Sequence, residues 1–406
     1  MTAQALPERV AVHDGSVPTV IGAGAALRSL ARLGVTEDSL LLIDGRVLDR
    51  HPGFGERMRR VICVEPRREP QTQLLDRVQR EVGAAERIDA VVGVGGGSVM
   101  DAAKLIRLFR GSNTGLRAAQ RYAESFGVFL VPEAWGRKRV PLVLIPTTLG
   151  TGSEAGAVAC LEGAASRRLV AGAALKADSI VLDPELTRSL DGIALREGAA
   201  EILLRIIGGY VGSEPGDVQD AAAEGLAAQA ARTAHEGLRR GFDDRIRLLL
   251  AAASGETHAG WALAGRDPYG AKHWYLANEI SSAQRSRKVP ATLRLLPEVW
   301  RRVMEGDRRF GDRARLVRIW RIVAAEIDLD ADPIRGARAW PSAWGIDLPR
   351  FRRSAIAAAA RSCSRAWAGR RPALRGISEA EILAVYAAAS QWAPDPVTSV
   401  GGEERR

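Results

Sequence analysis

Two strand-to-turn junctions carry the residues with the clearest chemical use. The first is Val92-Gly93-Val94-Gly95-Gly96-Gly97-Ser98-Val99-Met100-Asp101, an apolar strand running into three glycines and then a helix expected to hold an acid in its first turn. Glycine backbone can come within hydrogen-bond distance of an oxyanion, and the helix behind it offers unpaired N–H groups and the positive end of its dipole. The chemistry this predicts is the holding of a phosphate. Plain strand-to-helix turns use glycines too, so the prediction leans on a second junction about fifty residues later. There Pro141-Leu142-Val143-Leu144-Ile145-Pro146 leads into Thr147-Thr148-Leu149-Gly150-Thr151-Gly152-Ser153-Glu154, where hydroxyls and glycines at a strand end suit phosphate and ribose oxygens.

Residues 1 to 190 alternate short β-branched runs with helical segments, which predicts an α/β N-terminal domain with a doubly wound parallel sheet that binds a nucleotide. From 191 to 406 alanine, leucine and arginine dominate, as in Ala221 to Arg240 and Arg352 to Ser364, predicting an all-α C-terminal helical domain for the substrate. Ligands of such sheets lie beyond the carboxyl ends of the strands, so the expected site is the cleft between the halves. The tail Thr398 to Arg406 is polar enough to fray.

With 406 residues, 46% of them apolar, and a mean hydropathy near zero, the chain reads as a soluble two-domain protein. No apolar run reaches membrane-spanning length, and Met1 to Arg9 lacks the blocks of a signal peptide, so a cytoplasmic location is expected. Cys63, Cys160 and Cys363 are far apart and form no C-x-x-C pair, which argues against a disulfide framework or a zinc knuckle. The net charge is +10, with Arg301, Arg302, Arg308, Arg309, Arg313, Arg315, Arg318 and Arg321 crowded together. Such a face reads as solvated surface or as a dock for an acidic partner or substrate. No helix-turn-helix, zinc finger or aromatic stacking motif accompanies it, so nucleic acid is not expected.

Taken together, Gly95-Gly96-Gly97-Ser98-x-x-Asp101-x-x-Lys104 and Pro146-Thr147-Thr148-x-Gly150-Thr151-Gly152-Ser153-Glu154 resemble the superfamily that joins iron-containing alcohol dehydrogenases with dehydroquinate synthase. The resemblance extends through Pro18 to Gly24, Leu40 to Asp44, Arg168 to Val170, Ile180 to Thr187 and Leu295 to Val299, covering about residues 10 to 300. It implies that Gly95, Gly96, Gly97, Ser98, Thr147 and Thr148 cradle the pyrophosphate and nicotinamide ribose of NAD. Asp101 matches the family's aspartate at that place, and Thr151 and Arg168 join the cofactor set. Asp44 stands where the adenosine ribose would lie, and a carboxylate there favours NAD over NADP. The alternative is that Asp44 only starts the turn Asp44-Gly45.

Metal-bearing members of the family carry an acid and two or three histidines. Aligning Ile206-Ile207-Gly208-Gly209-Tyr210 with the family's helix puts Glu201 at the acidic position and Arg205 where the alcohol dehydrogenases have a histidine. His273 takes the next position and Lys288 the last, with Arg287 beside it. Arginine cannot ligate a metal, and only Glu201 and His273 keep a ligating group, so no iron or zinc is expected. Arg205 and Lys288 would then bind a substrate carboxylate and stabilise an alkoxide, or Arg205 would simply pair with Glu201. His273 is the leading proton acceptor; Lys272 and Lys288 come next, and His258 after them.

The resemblance thus implies an NAD-dependent dehydrogenase acting on a hydroxyl of a small or peptidic, carboxylate-bearing substrate, without a metal. Iron-alcohol-dehydrogenase-like proteins of daptide-type peptide biosynthesis, which oxidise a C-terminal threonine with decarboxylation, are one branch it is similar to. The alternatives are a dehydroquinate-synthase-like cyclase using NAD, against which stands the absence of the paired histidine motifs, and a non-catalytic or partner-dependent subunit. A homodimer is expected, with a protein partner open and no membrane association.

Overall fold

Uninterrupted runs of β-branched residues and leucine give the strands, because a parallel strand covered on both faces needs apolar side chains in both directions. The computed structural model describes residues 9–11, 17–65, 71–82, 87–136, 140–162 and 167–392; the tail Thr398 to Arg406 lies outside them. The strands are β1 (Arg9–Ala11), β2 (Thr19–Ile21), β3 (Leu40–Asp44), β4 (Arg60–Val64), β5 (Val91–Gly95), β6 (Val128–Leu130), β7 (Leu142–Pro146), β8 (Val158–Glu162), β9 (Arg167–Ala171) and β10 (Ser179–Leu182). Seven form one sheet in the order β1-β2-β10-β7-β5-β3-β4, parallel throughout except for β1 against β2. Leu40 to Ile43 on β3 and Leu142 to Ile145 on β7 are buried, and Leu41, Ile43, Val92, Val94, Val143 and Ile145 belong to one core with Phe54 and Met58.

The helices of this half are α1 (Ala25–Ser29), α2 (Gly45–Arg50), α3 (Gln71–Val82), α4 (Gly97–Phe109) and α5 (Asn113–Phe126). The others are α6 (Gly192–Val211), α7 (Asp217–Arg240), α8 (Asp244–Ala259), α9 (Lys272–Gln284), α10 (Lys288–Met304), α11 (Arg313–Glu326), α12 (Pro333–Ala343), α13 (Arg353–Trp367) and α14 (Glu379–Gln391). None of the described helices is long and apolar enough to cross a membrane. The doubly wound sheet and the helical second half are therefore as the sequence predicts.

Three features depart from the prediction. A second, three-stranded sheet in the order β6-β9-β8 stands apart from the main one. Two two-residue strands, Ala368–Gly369 and Leu374–Arg375, pair within the otherwise helical part. The compact units also differ in extent from a division at residue 190: one comprises Met1–Ile206, Pro215–Arg266 and Arg365–Trp367, the other Ile207–Glu214, Asp267–Ser364 and Ala368–Arg406. The reason lies in α8, which packs against β10 and the turn after it, with the Arg247 guanidinium donating to the Thr187 carbonyl. Composition marks where helices begin, whereas packing decides which core they join.

Candidate cofactor and substrate site

In the first unit β5 and β7 are parallel neighbours with Gly95 opposite Pro146, so the glycine and threonine loops leave the sheet side by side. The Thr147 N–H donates to the Gly95 carbonyl at 3.0 Å. A Cβ on Gly96 would lie 3.1 Å from Thr148 Cγ2, and one on Gly97 3.2 Å from Thr151 Cγ2, so these glycines let the two loops touch. Gly95 has a different reason: a Cβ there would sit 2.6 Å from Val99 Cγ2, in the strand-to-helix turn itself. The hydroxyls of Thr148 and Thr151 are buried with no protein partner. Buried hydroxyls are normally paired, so this pair fits the oxygens of a nucleotide.

The order of the sheet supports the same location. From β3 the chain moves outward to β4, then returns to β5 and continues to β7 and β10, which puts the reversal between β3 and β5, where such sheets hold dinucleotides. Asp44 ends β3 there. One of its carboxylate oxygens caps α2 by accepting from Arg46 N–H at 3.0 Å, so the turn-starting role is real. Ser98 is exposed in the first turn of α4, its carbonyl accepting from the Gln71 side-chain amide at 3.3 Å.

Asp101 is placed differently from the expectation. It lies in the second turn of α4, and its carboxylate accepts from the Ser153 hydroxyl at 2.5 Å and the Cys160 N–H at 2.9 Å. It therefore pins the threonine loop to β8. Lys104, one turn on and fully buried, donates to Ser153 Oγ at 3.1 Å, the Gly156 carbonyl at 2.9 Å and the Val158 carbonyl at 2.8 Å. Burial pulls the ammonium below its ordinary value, opposed by Asp101 and Glu154. Arg168 sits on β9 of the small sheet, its guanidinium 5.9 Å from the Trp367 ring centre. His258 is a buttress: its Nε2 lies 2.9 Å from the Thr151 carbonyl, and its ring fills the space a side chain at Gly152 would need.

Glu201 and Arg205 meet on α6. The guanidinium donates to Glu201 Oε1 at 3.0 Å, to the Gly150 carbonyl at 2.7 Å and to Thr257 Oγ1 at 3.3 Å. Beside them Glu154 is buried, with one carboxylate oxygen unpartnered. Burial pushes its carboxyl up to about 7, against the pull of its own backbone N–H, Lys104 and Arg205. Lys104 and Glu154 stand in the two motifs, but motif spacing alone assigns them no role; the signal for them is a lysine inside an apolar helix face and an acid closing a glycine loop.

His273 and Lys288 belong to the second unit, where both lie against Trp274. The His273 ring is 5.2 Å from that ring and fills the space above Gly208, while the Lys288 ammonium stands 4.5 Å over the indole. Lys272 reaches Asp267 at 3.9 Å, and burial lowers its ammonium. The arginine run is largely spent internally: Arg301 on Glu298 and Glu305, Arg302 on Glu298, Arg308 on Asp312, Arg309 on Asp307 and Glu381, and Arg315 on the Tyr210 carbonyl.

Among the described residues no three His, Cys, Asp or Glu side chains gather as a metal ligand set. The chemistry at Glu201 agrees: its carboxylate is held by a guanidinium at the i+4 position, where a second ligand would have to stand, and a divalent ion does not fit beside that fixed cation.

A strand-glycine-helix loop and a threonine loop at the reversal of a doubly wound sheet define a dinucleotide-binding architecture. The family model for iron-containing alcohol dehydrogenase matches residues 45–184, a stretch that holds both the glycine and the threonine loop. It is 30% identical over 172 residues to long-chain-alcohol dehydrogenase 1 of Geobacillus thermodenitrificans, an alignment covering 41% of each chain. The chain thus spans about two-fifths of the length of the curated relatives it first matches. Its fold is similar to NADH-dependent butanol dehydrogenase A of Thermotoga maritima, with a TM-score of 0.73, 15% identity and coverage of 95% of this chain and 99% of that one. Sulfoacetaldehyde reductase of Bifidobacterium kashiwanohense, solved with NAD+, superposes with a TM-score of 0.67 at 16% identity, covering 93% and 97%.

Proposed function

We propose that this chain is an NAD-dependent oxidoreductase that interconverts a hydroxyl and a carbonyl group on an anionic substrate, and that it does so without a divalent metal. The observation that carries the reading is the pair of buried, unpartnered hydroxyls of Thr148 and Thr151, set against Gly96 and Gly97 at the ends of β5 and β7. The match of residues 45–184 to the iron-containing alcohol dehydrogenase family gives those hydroxyls their ligand.

Bound NAD supplies the hydride acceptor, so the alcohol loses a hydride to it and a proton to a base. In this reading Gly95 to Gly97 and the first turn of α4 hold the pyrophosphate, Thr148 and Thr151 accept and donate to its ribose or phosphate oxygens, and the free oxygen of Asp44 faces the adenosine ribose. The resemblance gives the role of base to His273 of the second unit. Arg205 supplies fixed positive charge of the kind the resemblance assigns to a metal in the family and suits a carboxylate; Lys288 carries the same charge in the second unit. Support for an anionic substrate comes from the reductase neighbour, whose named substrate, sulfoacetaldehyde, is an anionic aldehyde. A peptide carboxylate, as in threonine oxidation with decarboxylation, is the larger substrate of the same class.

Titration with NAD followed by calorimetry, NADH oxidation assayed with sulfoacetaldehyde and with butanal, and elemental analysis of the purified chain test this together. NAD binding lost in Thr148→Val with Thr151→Val, a preference for the anionic aldehyde, and activity that survives chelation are expected. Absence of NAD binding sinks the reading; a stoichiometric metal whose removal abolishes turnover sinks its metal-free part.

A further inference from the structure

Three arginines of the run, Arg313, Arg318 and Arg321, are set apart by their place: all are exposed on α11. Arg301, Arg302, Arg308 and Arg309 each meet a carboxylate of this chain, whereas Arg313 and Arg321 form no ion pair among the described residues. Helical spacing arranges this face in two neighbouring rows. Arg313, Val317 and Arg321 stand four residues apart in one, and Ala314, Arg318 and Ile322 in the other. Val317 and Ile322 are half-buried, so they make an aliphatic floor among exposed guanidiniums, and an open hollow of about 720 Å³ lies over the six residues. The acid at its end is already engaged: the Asp312 carboxylate accepts from the Arg315 N–H and from the Arg308 guanidinium, both at 3.0 Å.

Sign and shape together say what this face fits. Guanidiniums accept carboxylates and phosphates alike, so the charge alone selects an anion. The aliphatic floor then decides between the two: a phosphate backbone has nothing to bury there, and no aromatic residue stands in either row for a base to stack on. A polypeptide with carboxylates around an apolar side chain satisfies both the rim and the floor. A second copy of this chain is the wrong complement, because each copy brings a net charge of +10 to the contact.

We propose that α11 docks an acidic amphipathic helix of a different polypeptide, one with carboxylates two turns apart and a large aliphatic side chain midway between them. Arg313 and Arg321 are eight residues apart, which is about 12 Å along the helix axis. A helix laid alongside α11 spans that distance with carboxylates seven or eight residues apart, and its central aliphatic side chain then reaches Val317. Exposed ion pairs add little affinity each, so the aliphatic contact holds the partner while the arginines orient it and speed its approach.

The probe is a fluorescently labelled helical peptide with glutamates two turns apart and a leucine midway, titrated with the full chain and read by anisotropy. Saturable binding is expected, weakening as salt rises from about 50 to about 500 mM. The pair Arg313→Glu with Arg321→Glu should weaken it at least about tenfold, and a peptide with serine in place of the leucine should bind at least about fivefold less tightly. Arg117→Glu with Arg121→Glu, an exposed pair on α5 that changes the net charge equally, should leave it within about twofold. All four positions are exposed, so unchanged circular dichroism separates loss of contact from loss of fold. No saturable binding up to about 1 mM overturns the proposal, as does equal weakening by the α5 pair or equal binding of the serine peptide, either of which would reduce the effect to net charge. A duplex oligonucleotide that binds more tightly than the peptide and is lost with Arg313→Glu and Arg321→Glu would give the face to nucleic acid and overturn it too.

Discussion

Replacing Arg205 with methionine removes one guanidinium that serves three acceptors, and its cost can be worked from them. Glu201 loses its cation at 3.0 Å, the Gly150 carbonyl loses a donor at 2.7 Å, and Thr257 loses a weaker one at 3.3 Å. Breaking a buried ion pair costs about 3–5 kcal/mol because a charge is left uncompensated, but both side chains here remain 16% exposed, so about 2–3 kcal/mol is the fitting figure. An orphaned carbonyl adds about 1 kcal/mol. The single variant should therefore lose about 3–4 kcal/mol, whereas the double variant Arg205→Met with Glu201→Gln, which leaves no bare charge, should lose about 2 kcal/mol less than that. Urea unfolding of the wild type, both single variants and the double variant measures the coupling. Strictly additive losses would refute the claim that Glu201 depends on Arg205. Because the guanidinium also fixes Gly150, NAD affinity should fall about tenfold in the single variant, the equivalent of ~1.4 kcal/mol; unchanged affinity would show that the threonine loop does not need this anchor.

Two further outcomes are expected. The Glu154 carboxyl sits at about 7 in the fold against an ordinary value of about 4.5, so between those values the native chain keeps a proton that the unfolded chain has released. Stability should fall as pH rises across that window, by at most about 3 kcal/mol, and level off above it; Glu154→Gln should remove the slope, and urea midpoints that fall in parallel in both proteins would contradict this. Asp44→Ala should cost about 1 kcal/mol through loss of the α2 cap and should narrow the preference for NAD over NADP about tenfold, read by calorimetry with both dinucleotides; a preference that does not move would leave Asp44 as a cap alone.

The main sheet was legible because its signals are local. Val91 to Val94 and Leu142 to Ile145 are continuous apolar strands, and the glycines and threonines that follow are among the few residue types those turns accept. The arrangement around Asp101 was not. An aspartate in a phosphate-loop motif suggests a group turned toward the ligand, yet one residue of register moves it from the open end of α4 to the side facing β8, and no local pattern reports that register. The same limit hid the small sheet: β8 and β9 are short, and β6 joins β9 from about forty residues away. In the arginine run, spacing showed the cations but not the Glu298, Asp307 and Glu381 carboxylates that five-residue windows and distant helices bring to them.

What Arg205 does for the candidate site follows from the balance of the buried charges. Lys104 stands opposite Asp101 at 3.9 Å, and Arg205 opposite Glu201 at 3.0 Å, so two cations and two anions cancel. Glu154 is the fifth group, and the cluster is neutral only while that carboxyl keeps its proton, which is the state burial favours. Both cations also hold backbone carbonyls of the same segment, Arg205 at Gly150 and Lys104 at Gly156 and Val158. The segment between them contains Thr151, whose hydroxyl is left buried and unpaired. The two buried cations therefore hold the backbone on either side of that residue in place. The cationic pair at Glu201 thus fixes one end of the segment that carries this open hydrogen-bonding group, and under the proposed function it would serve cofactor binding as much as any charge on the substrate.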